Sequence, residues 1–149
     1  MLKNVPPLLT PDLVFVLASM GHGDDLAVVD ANFPAHSVAR RTCHGRVVAL
    51  AGSSMPEAVR AVLALLPLDD FVETPVQTMS SGGGAGELNR VQQEAQAVVD
   101  EAVGRACPMG LLERFAFYEA TKDCYAVVTT GERRYYGNVI LKKGAIPPG

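Results

Sequence analysis

Two hydrophobic periods alternate along this chain. In "TPDLVFVLASMG", Leu13, Val16, Leu17 and Met20 recur at helical spacing. Thr10 suits the cap of that helix, Pro11 its first position and Gly21 its stop. "LAVVD", Leu26 to Asp30, is a short unbroken apolar run rich in β-branched residues, which predicts a buried strand. "RVVAL", Arg46 to Leu50, predicts a second. "SSMPEAVRAVLALLPLD" returns to the helical period, with Met55, Val59, Val62, Leu63 and Leu66 as its stripe. Ser54 and Glu57 have capping-box spacing, and Pro56 falls in the first turn, where its missing N–H is harmless. "TPVQTM" predicts a short strand. A helix is expected from Glu87 to Val103, with Val91, Ala95, Val98, Val99 and Ala102 inward and Gly104 as its stop.

The last third has a different rhythm. "LLERFAF" reads as extended, "YEATKD" as a short turn or helix, and "CYAVVTT" as a strand. "GERRYYGN" is a turn region, with Gly137 or Asn138 expected in a left-handed conformation, and "VILKK" is the closing strand. Helices and strands alternate early, strands cluster late, and no repeat or linker divides the chain. The expectation is one domain over residues 1–149, an α/β fold of three layers, α/β/α, around a mixed sheet.

Composition narrows the classes of function. The 149 residues are enough for one core and too few for two ordinary domains. With 48% hydrophobic and 19% charged residues the chain should be globular. A net charge of -3 and the lack of a basic run argue against a nucleic-acid partner. No apolar run reaches the length of a membrane span, so no membrane partner is expected. "MLKNVPPLLTPDL" lacks the apolar core of a secretion signal, so the expected compartment is the cytoplasm. Cys43, Cys107 and Cys124 are odd in number and widely spaced, which fits small buried hydrophobes rather than a disulfide framework or zinc knuckle.

Candidate chemistry begins at "GHGDD". His22 lies between two glycines in a helix-to-strand loop, where other atoms can approach closely, and imidazole exchanges protons near neutral pH. Asp24, Asp25 and Asp30, with His22 and His36, match no metal signature; one of Asp24 and Asp25 fits a loop residue bonding nearby N–H groups. Asp30 ends an apolar strand, the edge where ligands collect in open α/β sheets, and a carboxylate there can accept two sugar hydroxyls. "SSGGGAG", Ser80 to Gly86, lacks the ending of a phosphate loop and reads as a surface loop. "RFAFYE" brings Arg114, Phe117 and Tyr118 together, and "YYGN" spans Tyr135 to Asn138; both carry the donors and rings that line carbohydrate sites.

"MGHGDDLAVVDANFPAHS", "LLPLD", "RFAFYE", "TGE" and "YGNVILKKG", in this order, resemble the fucose mutarotase branch of the ribose pyranase/fucose mutarotase family. The resemblance covers roughly the first half and Leu111 to Gly144. It implies that His22 is the general acid, and that Tyr118 is a tyrosine linked to mutarotase activity and typical of the fucose branch. It implies that Asp30, Arg114, Tyr136, Gly137 and Asn138 bind a monosaccharide such as L-fucose. It further implies no metal or organic cofactor, and a cyclic homo-oligomer, often a decamer, with sites near subunit boundaries. Ala51, in "LAGSS", departs from the Ala-Asp-Gly of many relatives, and Ser80 to Cys107 matches little of the pattern. The related alternatives are D-ribose pyranase activity and non-catalytic monosaccharide binding.

Overall fold

The structure is a computed structural model that describes residues 1–84 and 86–149. Ala85, within the Gly-rich stretch Ser80 to Gly86, lies outside the described residues. In chain order the elements are α1 (Pro11–Ser19), β1 (Asp25–Val29), α2 (Ala35–Ala39), β2 (Val47–Leu50), α3 (Met55–Leu63) and β3 (Val76–Met79). Then follow α4 (Arg90–Val103), β4 (Gly110–Leu112), α5 (Arg114–Lys122), β5 (Ala126–Thr130) and β6 (Val139–Lys142).

Local chemistry sets the helix ends. Thr10 caps α1 by accepting the Leu13 N–H at 3.2 Å. Ser54 and Glu57 close a capping box on α3, and Asn89 with Gln92 closes another on α4. Such caps are worth about 1 kcal/mol each. Gly104 ends α4 with φ 82°, the left-handed stop that glycine adopts without strain. Gly21 does not play that part: α1 stops at Ser19, and Met20 turns the chain in an extended conformation.

The six strands form one mixed sheet in the order β2-β5-β1-β6-β3-β4. β1 pairs with β5, β5 with β2, and β3 with β4 in parallel, while β6 runs antiparallel to both β1 and β3. Five strands therefore share one direction, and their carboxyl ends lie along one edge.

β1 explains why the sheet is covered on both faces. Leu26 and Val28 point to one side with α1, α3 and α4, while Ala27 and Val29 point to the other with α2 and α5. A strand buried on both faces reads as a continuous apolar run. β6 divides likewise, with Val139 and Leu141 on the first face and Ile140 on the second. The α/β/α expectation holds.

The main correction concerns "LLERFAF", which is extended only as far as Leu112. From Arg114 the chain is helix α5. Glu113 caps it, its carboxylate accepting the N–H groups of Phe115 and Ala116 at 2.9 and 3.2 Å. Phe117 and Thr121, four residues apart, are the buried side chains. The alternating phenylalanines imitate a strand period, but Phe115 is exposed and Phe117 buried, as helical spacing requires. Ala102 and Cys43 are also exposed, against expectation, whereas Cys107 and Cys124 are buried. No helix among the described residues is long and apolar enough to cross a membrane.

Candidate active site

Asp30 immediately follows β1, and two loops fold around its carboxylate. Oδ1 accepts the Asn32 N–H at 3.0 Å. Oδ2 accepts the Gly137 N–H at 3.2 Å and the Asn138 side-chain amide at 3.0 Å. Asp30 N–H in turn donates to Asn138 Oδ1 at 2.8 Å. This reciprocal pair ties the carboxyl end of β1 to the head of β6. Asp30 is 4% exposed and Asn138 3%. Burial pushes the Asp30 carboxyl above its ordinary value, and the donors from Asn32, Asn138, Gly137 and Phe33 only partly pull it back. A carboxylate has about four acceptor positions; Asn32, Gly137 and Asn138 fill three, and the Phe33 N–H bonds the Asp30 backbone carbonyl at 3.3 Å, so capacity for about one further donor remains.

That donor can come from the cavity Asp30 lines. The cavity has a volume of about 280 Å³ and lies at the shared carboxyl edge of the strands. Ligand pockets run from about 300 to 1,000 Å³, so its size suits a single sugar ring. Asp30, Asn32 and Asn138 give it a polar side, and Arg114 and Tyr118 come from the first turns of α5. Phe33, Tyr135 and Tyr136 supply aromatic faces, and Met79 lies at the end of β3. The Phe33 ring meets Tyr118 edge-on at 5.4 Å between centroids. The Arg114 guanidinium stands 4.7 Å above the Phe115 ring.

The β5–β6 loop is shaped for this wall. Tyr136, not Gly137 or Asn138, takes the left-handed conformation, with φ 61°. Holding a side-chain-bearing residue there costs about 1–2 kcal/mol. Gly137 serves a close approach instead: a Cβ there would lie 2.8 Å from Glu132 Cγ and 3.6 Å from Asp30 Cβ. Glu132 is itself fixed. Arg134 donates from Nε to Oε1 at 2.8 Å and from Nη2 to Oε2 at 2.9 Å, and the Met55 N–H reaches Oε2 at 3.3 Å. The Arg134 bonds outweigh burial and hold the Glu132 carboxyl down at about 2.

His22 is elsewhere. It precedes β1 while Asp30 follows it, so the strand separates them by about 17 Å at ~3.3 Å per residue. At that opposite edge His22 Nε2 lies 3.0 Å from Asp69 Oδ1. Its ring packs against Phe71 with centroids 5.3 Å apart. Asp69 is 4% exposed and His22 44%. Burial would raise the Asp69 carboxyl, but the His22 hydrogen bond, the Phe71 N–H and the charges of His22 and Lys142 bring it below its ordinary value. Asp24 has the loop role expected, accepting the Gly21 N–H at 2.7 Å, while Asp25 pairs with Lys142 at 2.9 Å.

Of the sequence candidates, the fold thus gathers Asp30, Arg114, Tyr118, Tyr136 and Asn138 around one cavity. Gly137 contributes its N–H to Asp30, and His22 stands apart. Asp69, Glu132 and Phe33 went unassigned by sequence reasoning, although "LLPLD", "TGE" and "ANFP" contain them. Among the described residues no cluster of three or more His, Cys, Asp or Glu side chains is placed to hold a metal ion.

Comparison with known proteins identifies the family of the chain. The model of the RbsD / FucU transport protein family matches residues 3–146. The chain belongs to this family. Fucose mutarotase of Bos taurus is 43% identical over 152 residues, covering 99% of this chain and 95% of that protein. The crystal structure of FucU from Bifidobacterium longum is 36% identical with a TM-score of 0.88, covering 97% of this chain and 100% of that one. The fucose mutarotase from Streptococcus pneumoniae, solved in complex with L-fucose, is 34% identical with a TM-score of 0.87. That match covers 98% of this chain and 100% of the other.

Proposed function

We propose that this protein is an L-fucose mutarotase, an isomerase that interconverts the α and β anomers by opening and reclosing the sugar ring. The observation that carries the reading is the cavity around Asp30. A buried carboxylate with spare acceptor capacity faces an arginine, a tyrosine and aromatic rings at the carboxyl edge of the sheet. Similarity to a protein solved with L-fucose bound supports the same choice of ligand.

Mutarotation needs one proton delivered to the ring oxygen and one removed from the anomeric hydroxyl. The bond from C1 to the ring oxygen breaks as the C1 carbonyl forms. The C1–C2 bond rotates, and the hydroxyl re-adds to the other face with the protons returned. No electrons leave the sugar. Asp30, Arg114 and Asn138 hold the remaining hydroxyls, Tyr136 and Phe33 face the ring, and Gly137 keeps Asp30 in place. Tyr118 serves the proton transfer opposite to that of His22. A positioned acid–base group contributes about 10²–10⁴-fold.

His22 reaches a sugar through a second copy of the chain. Head-to-tail association sets one face of a subunit on a different face of the next and closes into a ring. It would bring the edge bearing His22 over the cavity edge of a neighbour. Exposed Phe71 beside His22, and exposed Phe115 and Tyr135 beside the cavity, supply apolar surface at both edges. This is the cyclic homo-oligomer, with a decamer as its expected size. Three cysteines without a disulfide suit a reducing compartment, the cytoplasm.

The separation of His22 from the cavity favours one second reading, a monosaccharide-binding protein without catalysis. Exchange NMR on the anomeric protons of L-fucose separates the two. Exchange between the α and β signals that the protein accelerates supports the mutarotase. Saturation transfer to fucose without faster exchange supports the binder. Acceleration with D-ribose and not with fucose would make the protein a pyranase.

A further inference from the structure

The first two turns of α4 reach across to the cavity wall, and they do so with residues that already have another task. Asn89, the N-cap, accepts the Gln92 N–H at 3.1 Å, and Gln92 Oε1 accepts the Asn89 N–H at 3.0 Å. That capping box needs only two acceptors, which Asp or Ser at the first position and Glu at the second provide equally well. Both positions here carry the amide, and both amide NH₂ groups point to the same place. Gln92 Nε2 donates to the carbonyls of Met79 and Tyr136 at 2.6 and 3.1 Å. Asn89 Nδ2 donates to the Tyr135 carbonyl at 2.9 Å. One residue pair further on, Glu94 accepts both Nη1 bonds of Arg134, at 2.9 and 3.0 Å. Arg134, Tyr135 and Tyr136 are thus each held from α4.

The loop held in this way is the one that carries a left-handed Tyr136. Gln92 is fully buried, at 0% exposure, so nothing but the protein satisfies its amide. Removing its NH₂ would leave the buried Met79 carbonyl and the part-buried Tyr136 carbonyl without that donor and let Tyr136 relax towards an unstrained backbone. Gly137 N–H and the Asn138 amide, which follow directly, would then lose their aim at Asp30.

We propose that Gln92, assisted by Asn89, is a positioning residue for the sugar site: its amide holds Tyr136 and Met79 so that Gly137 and Asn138 meet Asp30. This rests on the reading of the cavity as the fucose site. The role lies in the segment Ser80 to Cys107, which matched little of the family pattern.

Two variants test positioning against capping. Asn89→Asp keeps the cap and loses only the donor to Tyr135. Gln92→Met keeps size and burial and loses both donors together with its own half of the capping box. The assays are KM and kcat for L-fucose anomer exchange, and hydrogen exchange of the Gly137 amide against that of Val28 in β1. Gln92→Met should raise KM about tenfold, and Asn89→Asp about threefold, as expected for lost bonds to a site that binds in the ground state. In both, kcat should stay within about twofold, and the Gly137 amide should exchange about tenfold faster while Val28 is unchanged. A capping role alone predicts a lower Tm for Gln92→Met only, with KM, kcat and Gly137 protection unchanged in both folded variants, and that result overturns the proposal. If Gln92→Met does not fold, Asn89→Asp decides alone. If the parent protein accelerates no exchange, the mutarotase reading falls, and Gly137 protection still decides whether α4 positions the loop.

Discussion

Replacing Asp30 with asparagine changes no volume and disturbs each bond around the carboxylate. The native side chain accepts three donors: Asn32 N–H on one oxygen, and Gly137 N–H with the Asn138 amide on the other. Asparagine has one oxygen. Its better orientation turns that oxygen to Gly137 and Asn138 and leaves its NH₂ facing the Asn32 N–H. One charge-assisted bond is lost, about 1.5–3 kcal/mol, and two others become neutral, about 0.5 kcal/mol each. Against this, the substitution removes a carboxylate whose burial is unfavourable enough to raise its pKa. The net destabilisation should be about 1–2 kcal/mol, a fall in Tm of about 3–6 °C for a chain of this size. Sugar binding should suffer more. A hydrogen bond from a hydroxyl to a charged acceptor is worth about 1.5–3 kcal/mol, so the dissociation constant for L-fucose should rise about 10- to 100-fold. Thermal melting and an NMR titration with L-fucose measure the two effects separately. A folded Asp30→Asn that binds fucose within about threefold of the parent would refute the placement of the sugar on Asp30.

Other perturbations reach different parts of the account. Asp69→Asn keeps a partner for His22 but removes its charge, so anomer exchange should slow about tenfold while fucose binding in the cavity is retained; equal loss of both would argue against separate roles. Gly137→Ala would place a methyl 2.8 Å from Glu132 Cγ, which Arg134 pins, and should cost about 1–3 kcal/mol in denaturant melts together with weaker sugar binding. Glu132 titrates in the fold at about 2 rather than 4.5, so its stabilisation is complete above about pH 5 and is lost as the pH falls towards 2. Solvent reaches half-exposed Arg134, which limits the effect to about 1–2 kcal/mol; Glu132→Gln should flatten that part of the acid-denaturation curve.

Much of the fold was legible because short-range rules decided it. Thr10, Ser54 and Glu57 cap where their spacing predicts, and the two-sided burial of β1 follows from its unbroken apolar run. The start of α5 reads as strand because Phe115 and Phe117 alternate like one while its cap, Glu113, is an uncommon N-cap residue; its second half, in "YEATKD", reads as turn or helix and is helix. α2 was not foreseen, since five residues behind Pro34 carry too short a period to detect. The cavity residues could be identified as motifs, but their convergence depends on β6 entering between β1 and β3, which local patterns do not determine. The position of His22 was legible in part: a loop before a strand and a carboxylate after it cannot share one site within one subunit. What remained hidden were the partners that act at long range, Asp69 for His22 and Gln92 for Tyr136, because nothing near them in sequence marks the contact.

The most direct test is to mix two impaired proteins. His22→Ala keeps an intact cavity, and Asp30→Asn keeps an intact His22. At L-fucose concentrations below the KM of the parent, each alone should exchange the α and β signals at no more than about a tenth of the parent rate. Unfolded together and refolded at equal amounts, they should recover about a quarter of the parent rate, the share of random neighbour contacts that pair an intact cavity with an intact His22. Mixed assemblies that form and exchange no faster than either variant alone would contradict a mutarotase site completed by a second copy.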